Sequence, residues 1–232
     1  MNFHRGTGWY AEQFPRCRAA NGTATLAFEA SPYYLFEPRV PERVRGLLPD
    51  AKLVALLRNP VDRAFSHYHN NRRDGLEPLS FEDAIAAEPA RLRGEEKRLI
   101  ADPSALSPAH QRYSYLRRGV YHEQLMRWRA FFPADQMLVL DSGRLLADPH
   151  AVLAEVLAFA GVEPWEPPHL VPHNEGGYAE AMAHDTRRQL EAYFAPHEER
   201  LVSLIGWCPS RSHGRRSDSM KSLTDTAHAH EQ

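Results

Sequence analysis

The stretch that decides the fold runs from Lys52 to Arg73, KLVALLRNPVDRAFSHYHNNRR. Leu53 to Leu57 is a short continuous apolar run, the pattern of a parallel strand covered on both faces. Asn59 follows as an N-cap residue, and Pro60 takes the first helical position, where a missing N–H costs nothing. Val61, Ala64, Phe65 and Tyr68 recur at i, i+3, i+4 and i+7, which predicts a helix with one face in the core. Ser66 comes nearly two turns after Asn59 and so returns to the same side of that helix. Arg58 stands at the carboxyl end of the strand, where open parallel sheets bind ligands, beside a helix start with unsatisfied N–H groups. A guanidinium, a hydroxyl and a helix N-terminus at one point suit a phosphate group. A surface arginine and a helix serine with nothing bound would have the same spacing.

The flanking sequence supplies further strands and helices. Thr23 to Glu29 alternates and then turns apolar, predicting a strand with Glu29 at its carboxyl end on the same edge as Arg58. Pro41 to Leu48 reads as a short helix closed by Pro49. Ser80 to Asp83 starts another with a capping-box-like pattern. Residues 88–111 are charged and alanine-rich, interrupted by Pro89, Pro103 and Pro108; they read as a loosely helical insertion over the active face. Gly119 to Phe132 resumes a helix with Tyr121, Leu125, Trp128 and Phe132 at core spacing, followed by a strand from Gln136 to Leu140. Asp148-Pro149 opens the next helix and Gly161 ends it. A final amphipathic helix spans about 185–205. The polar 208–232 tail is expected to be disordered, leaving residues 1–207 as one domain. The tail histidines lack metal-ligand spacing, and no metal site is expected.

The segment LLRNPVDRAFSHY resembles the 3′-phosphate-binding segment of sulfotransferases that use 3′-phosphoadenosine 5′-phosphosulfate, in their bacterial and heparan-sulfate-type branch. Other motifs extend the resemblance: Gly8-Trp9-Tyr10 with Phe14-Pro15, the segment FEASPYYL, the order G-x-Y, F-P-x-x-Q-x-L-V-L, D-P, F-x-G-V, and the closing Trp207. It implies a three-layer α/β fold with a mainly parallel central sheet. Arg58 and Ser66 would hold the donor's 3′-phosphate, with the helix start at Asn59 beside them. His173 to Tyr178 occupies the place of the family's second cofactor loop, where Gly176 and Gly177 would offer backbone contacts. Relatives carry two motifs before the point that Met1 resembles: a glycine-rich 5′-phosphosulfate loop, and a K-E-x-x-F-F-like segment whose glutamate commonly serves as base. Neither occurs here, so the resemblance implies that the first βα unit is missing from this sequence. That leaves Glu29 as the catalytic candidate, with Ala30 where some members have a lysine. His4, His67 and His69 are weaker candidates; the last two are turned roughly 100° and 300° from Ser66 and cannot share one role.

The implied reaction moves a sulfuryl group from 3′-phosphoadenosine 5′-phosphosulfate to a hydroxyl or amine acceptor, a glycan or a small hydroxylated molecule. The alternative is a non-catalytic truncated remnant that binds the 3′-phosphonucleotide or an anionic glycan. Composition narrows the rest. With 232 residues the chain is long enough to bury a substantial core. A net charge of −2 and a pI near 6.7 give no global basic field for nucleic acid, although the local pairs Arg72-Arg73 and Arg117-Arg118 could each meet an anionic substrate or form a solvated helix face. Cys17 and Cys208 match no metal or redox spacing. There is neither a membrane-length apolar run nor a signal-like start, which predicts a cytoplasmic protein.

Overall fold

A computed structural model of the chain describes residues 5–14, 26–170 and 181–210. In chain order come α1 (Gly6–Glu12), α2 (Val40–Leu47), β1 (Leu53–Leu57), α3 (Pro60–Arg73), α4 (Phe81–Arg91), α5 (Glu95–Ala101) and α6 (Pro108–Arg112). They are followed by a 3-10 turn (Arg117–Gly119), α7 (Tyr121–Arg129), β2 (Met137–Asp141), α8 (Ser142–Ala147), α9 (Pro149–Ala160) and α10 (His184–Ile205). The strands β1 and β2 pair in parallel, from Leu53 opposite Met137 to Leu57 opposite Asp141. The α/β expectation with a parallel sheet therefore holds.

Local chemistry accounts for the helix starts. Asn59 Oδ1 accepts hydrogen bonds from the Val61 N–H at 2.9 Å and the Asp62 N–H at 3.2 Å, so α3 begins where the cap and proline place it. Ser80 accepts from the Asp83 N–H at 3.1 Å, and Asp148 accepts from the Ala151 N–H at 3.0 Å. Gly161 closes α9 in the left-handed region at φ 74°, which a residue with a Cβ adopts at a cost.

Two expectations about strands are corrected. The apolar run of β1 is not covered on both faces: Leu57 is fully buried, but Val54 and Leu56 are 44 % and 49 % exposed. Successive strand side chains point to opposite faces, and here only one face is packed. Residues 26–30 form no strand, and Leu26 and Phe28 are exposed. An alternating pattern needs a neighbouring ladder, and among the described residues β1 pairs only with β2. Thr23 to Thr25 lie outside the described residues. The expected insertion is also more regular than predicted. Pro89 sits inside the last turn of α4 rather than breaking it. Its neighbour Glu88 is buried and accepts the Leu116 and Arg117 N–H groups at 2.7 and 2.8 Å, a tertiary hold that offsets one missing helix bond.

Three apolar clusters form the core. One joins α3, α4 and α10 through Val61, Ala64, Tyr68, Phe81 and Phe194. A second seats Leu57 of β1 against Tyr121, Leu125, Leu201 and Cys208. The third packs Val40 against Trp128 and Phe132. Cys208 is thus part of the packed chain, whereas residues 211–232 of the expected tail, and Cys17, lie outside the described residues.

Gly119 marks the closest approach in this core. A Cβ there would stand 2.8 Å from the Phe194 ring and 3.0 Å from Pro60 Cβ. Gly119→Ala is therefore expected to cost about 1–3 kcal/mol through overpacking. Urea unfolding measures it; an unchanged midpoint would mean that α10 backs away freely.

Candidate anion-binding cleft

The uncovered side of β1 faces a cleft of about 730 Å3, which begins at the strand and runs along α3. Its wall on α3 is a single helical stripe, Arg63, Ser66, His67 and Asn70, at i, i+3, i+4 and i+7. This is the face of α3 turned away from the Val61, Ala64 and Tyr68 core stripe. Arg58 enters from the strand end, where the Tyr121 hydroxyl donates to its carbonyl at 2.8 Å and ties β1 to α7. Arg118 and Gln124 come from the far wall, and Glu29 lies at the opposite rim with Tyr34.

The structure thus brings Arg58, Ser66 and Glu29 into one cleft. Asn59 does not line it; its side chain is committed to capping α3. Of the histidines, His67 faces the cleft, whereas His69 packs edge-on to Phe65 and lines a separate depression. His4, Gly176 and Gly177 lie outside the described residues. The arginine pairs divide. Arg117 pairs with Glu123 at 2.5 Å while Arg118 turns to the cleft, and neither Arg72 nor Arg73 reaches it.

Arg63 is the site group that the sequence reading missed, while Arg118 is the half of the Arg117-Arg118 pair that lines the cleft. Arg63 Nη2 donates to the Tyr115 carbonyl, and Arg118 Nη2 donates to the Gln111 carbonyl at 2.5 Å. The Arg118 guanidinium lies over the Tyr33 and Phe36 rings at 5.2 and 5.4 Å, which fixes its plane. The Nε atoms of both arginines and Nδ1 of His67 are buried without a hydrogen-bond partner among the described residues. Burial, reinforced by the Arg63 charge, pushes Arg118 down to about 9. Burial together with Arg118 and Arg63 pushes His67 down to about 2, so its imidazole is neutral. For Arg63 burial likewise acts against the charge. Cations that burial disfavours, with orphaned donors around one cavity, are arranged for an incoming anion.

Only one acidic side chain lines this cleft among the described residues, Glu29. Burial, together with the neighbouring Glu29 carboxylate, pushes the Tyr10 and Tyr34 phenols up to about 12. At neutral pH both phenols are therefore protonated. The cleft therefore combines a positive wall with one carboxylate at its rim, an arrangement able to bind an anionic group and accept a proton.

The sulfotransferase domain model matches residues 34–173, which contain the strand, α3 and the Arg118 turn. Over 231 residues the chain is 32% identical to the human bifunctional heparan sulfate N-deacetylase/N-sulfotransferase 3, covering 97% of this chain and 23% of that protein. It is 34% identical over 169 residues to the Xenopus laevis bifunctional heparan sulfate N-deacetylase/N-sulfotransferase 1, covering 70% of this chain and 17% of that protein. The chain thus spans about a quarter or less of these relatives. A crystal structure of a sulfotransferase from Alicyclobacillus acidocaldarius superposes with a TM-score of 0.66 at 33% identity, covering 89% of this chain and 74% of that one. With the parallel β1/β2 pair and the arginine-walled cleft in place, these matches assign the chain to the sulfotransferase domain family.

Proposed function

We propose that the cleft binds 3′-phosphoadenosine 5′-phosphosulfate and transfers its sulfuryl group to an amine or hydroxyl of a carbohydrate. The observation that carries the reading is the convergence of Arg58, Arg63, Ser66 and Arg118 on a cavity that, among the described residues, holds a single acid. Arg58 at the strand end and Ser66 on α3 hold the 3′-phosphate, close to the positive end of the α3 dipole. The orphaned Nε donors of Arg63 and Arg118 bind remaining anionic oxygens of the donor or of the acceptor glycan. Glu29 takes the acceptor proton. As it does so, the acceptor nitrogen or oxygen bonds to sulfur and the bond from sulfur to the phosphate oxygen breaks, releasing adenosine 3′,5′-bisphosphate. A carbohydrate acceptor is supported by the heparan sulfate N-sulfotransferase relatives. Positioning and charge stabilisation carry most of such a transfer.

The experiment separates the two ends of the nucleotide. Arg58→Ala is expected to weaken adenosine 3′,5′-bisphosphate binding about tenfold or more, since a charge-assisted hydrogen bond contributes roughly 1.5–3 kcal/mol. Binding of adenosine 5′-phosphate should change little. Calorimetry with both nucleotides decides the assignment: equal losses would move the 3′-phosphate away from Arg58.

A further inference from the structure

On the side of α7 away from the cleft, His122 and Glu123 meet His197 of α10, and their ligand atoms all lie within 4.8 Å of one another. None of the three lines the anion-binding cleft. The two imidazoles are nearly parallel, with centroids 5.5 Å apart and planes inclined by 24°. Nδ1 of each is buried and has no hydrogen-bond partner among the described residues. Glu123 Oε1 stands 4.0 Å from His122 Nε2, while its other oxygen is held by Arg117 at 2.5 Å. The carboxylate therefore presents one oxygen toward the histidines, and the guanidinium behind it acts as the orienting partner that metal-binding carboxylates commonly have.

We propose that His122, Glu123 and His197 form a divalent-cation site that pins α10 to α7, with zinc as the ion that the donors fit best. Two imidazole nitrogens and a carboxylate oxygen suit zinc, and three protein ligands leave a fourth, tetrahedral position to water. Magnesium and calcium prefer all-oxygen shells and do not match. Ligand atoms around a tetrahedral zinc stand about 3.4 Å apart, given zinc–ligand bonds of roughly 2.0–2.1 Å. Closing the present triangle takes side-chain rotation of about an ångström, within reach of a half-exposed glutamate and His197. The site crosses between helices that are otherwise joined by apolar packing around Leu125 and Leu201. Ion binding would therefore act on the α7–α10 contact and leave the anion-binding residues in place.

The probe is zinc chloride, titrated into the full chain against a fluorescent chelator, with cobalt as the spectroscopic reporter. The expected result is one saturable equivalent, a rise in melting temperature on zinc addition, and an intense visible cobalt band typical of four-coordination. His197→Ala and Glu123→Gln should each weaken zinc binding by about 10–100-fold and abolish the zinc-dependent rise. If His122→Ala, whose side chain is more buried, fails to fold, those two variants still decide the matter. Because His228 and His230 could bind zinc themselves, their joint replacement by alanine serves as the control and should leave the affinity unchanged. Zinc binding that survives His197→Ala, disappears with the tail histidines or never saturates would overturn the site.

Discussion

Glu77→Ala is expected to lower the unfolding free energy by about 3 kcal/mol, a large share of the stability of an ordinary domain. The Glu77 side chain is fully buried and sits at the hub of a polar network. Arg91 grips it with two bonds, Nη1 at 2.5 Å to one oxygen and Nη2 at 3.0 Å to the other. The Tyr115 hydroxyl donates to it at 2.8 Å and in turn accepts from the Asn71 amide at 2.9 Å, joining the network to α3. Removing the carboxylate strands a buried phenol and a guanidinium that is about one-fifth exposed. Such a loss typically costs 3–5 kcal/mol, and the partial exposure of Arg91 places the expected value at the lower end. Urea denaturation measures it; a change below about 1 kcal/mol would mean that water replaces the carboxylate.

The same network sets an acid dependence. Burial alone would raise the Glu77 carboxyl, but the bonds from Arg91, Tyr115 and the Leu79 N–H outweigh it and hold the group below the usual glutamate range. A carboxyl lowered on folding contributes stability above its unfolded value and loses it as pH falls through the lowered folded value. The parent should therefore lose stability below about pH 4.5, and Glu77→Gln should show a flatter acid limb. Glutamine also keeps one acceptor, so its cost near neutral pH should be smaller than that of alanine.

What could be read from the sequence divides along local and tertiary lines. The start of α3 was legible because Asn59, Pro60 and the Val61–Ala64–Tyr68 stripe are all within one segment, and the cap bonds form within three residues. Gly161 and Asp148 were legible for the same reason. Arg58 and Ser66 were placed on one side by the strand–turn–helix spacing and given their role by the family resemblance, and the cleft does bring them together. Arg63 shares the Ser66–His67–Asn70 stripe, so its signal was present in the i, i+3, i+4, i+7 spacing and went unused. Arg118 was legible only as half of a basic pair able to meet an anion, not as a wall of this cleft. Its placement depends on Glu88, 28 and 29 residues earlier, gripping the Leu116 and Arg117 N–H groups, and on Tyr33 and Phe36 beneath its guanidinium. The half-open face of β1 was hidden because a continuous run of leucine, valine and alanine does not say which face is packed.

The largest expected effect on catalysis is at Glu29: replacement by glutamine should lower kcat by about 10²–10⁴-fold while leaving the affinity for adenosine 3′,5′-bisphosphate intact. Two groups in the cleft could in principle take a proton, Glu29 and His67. His67 is the weaker proton acceptor, because burial and the Arg118 and Arg63 charges push it down to about 2. Glu29 remains, exposed at the rim beside the Tyr10 and Tyr34 phenols, which stay protonated because their values lie at about 12. Glutamine preserves size, but it cannot take the acceptor proton. The loss should therefore appear in kcat rather than in nucleotide binding. Labelled sulfate transfer to a glycan panel, run beside calorimetry on the same variant, reads both quantities. A kcat within a few-fold of the parent would assign the proton to another group; equal losses in kcat and in nucleotide affinity would make Glu29 a binding residue instead.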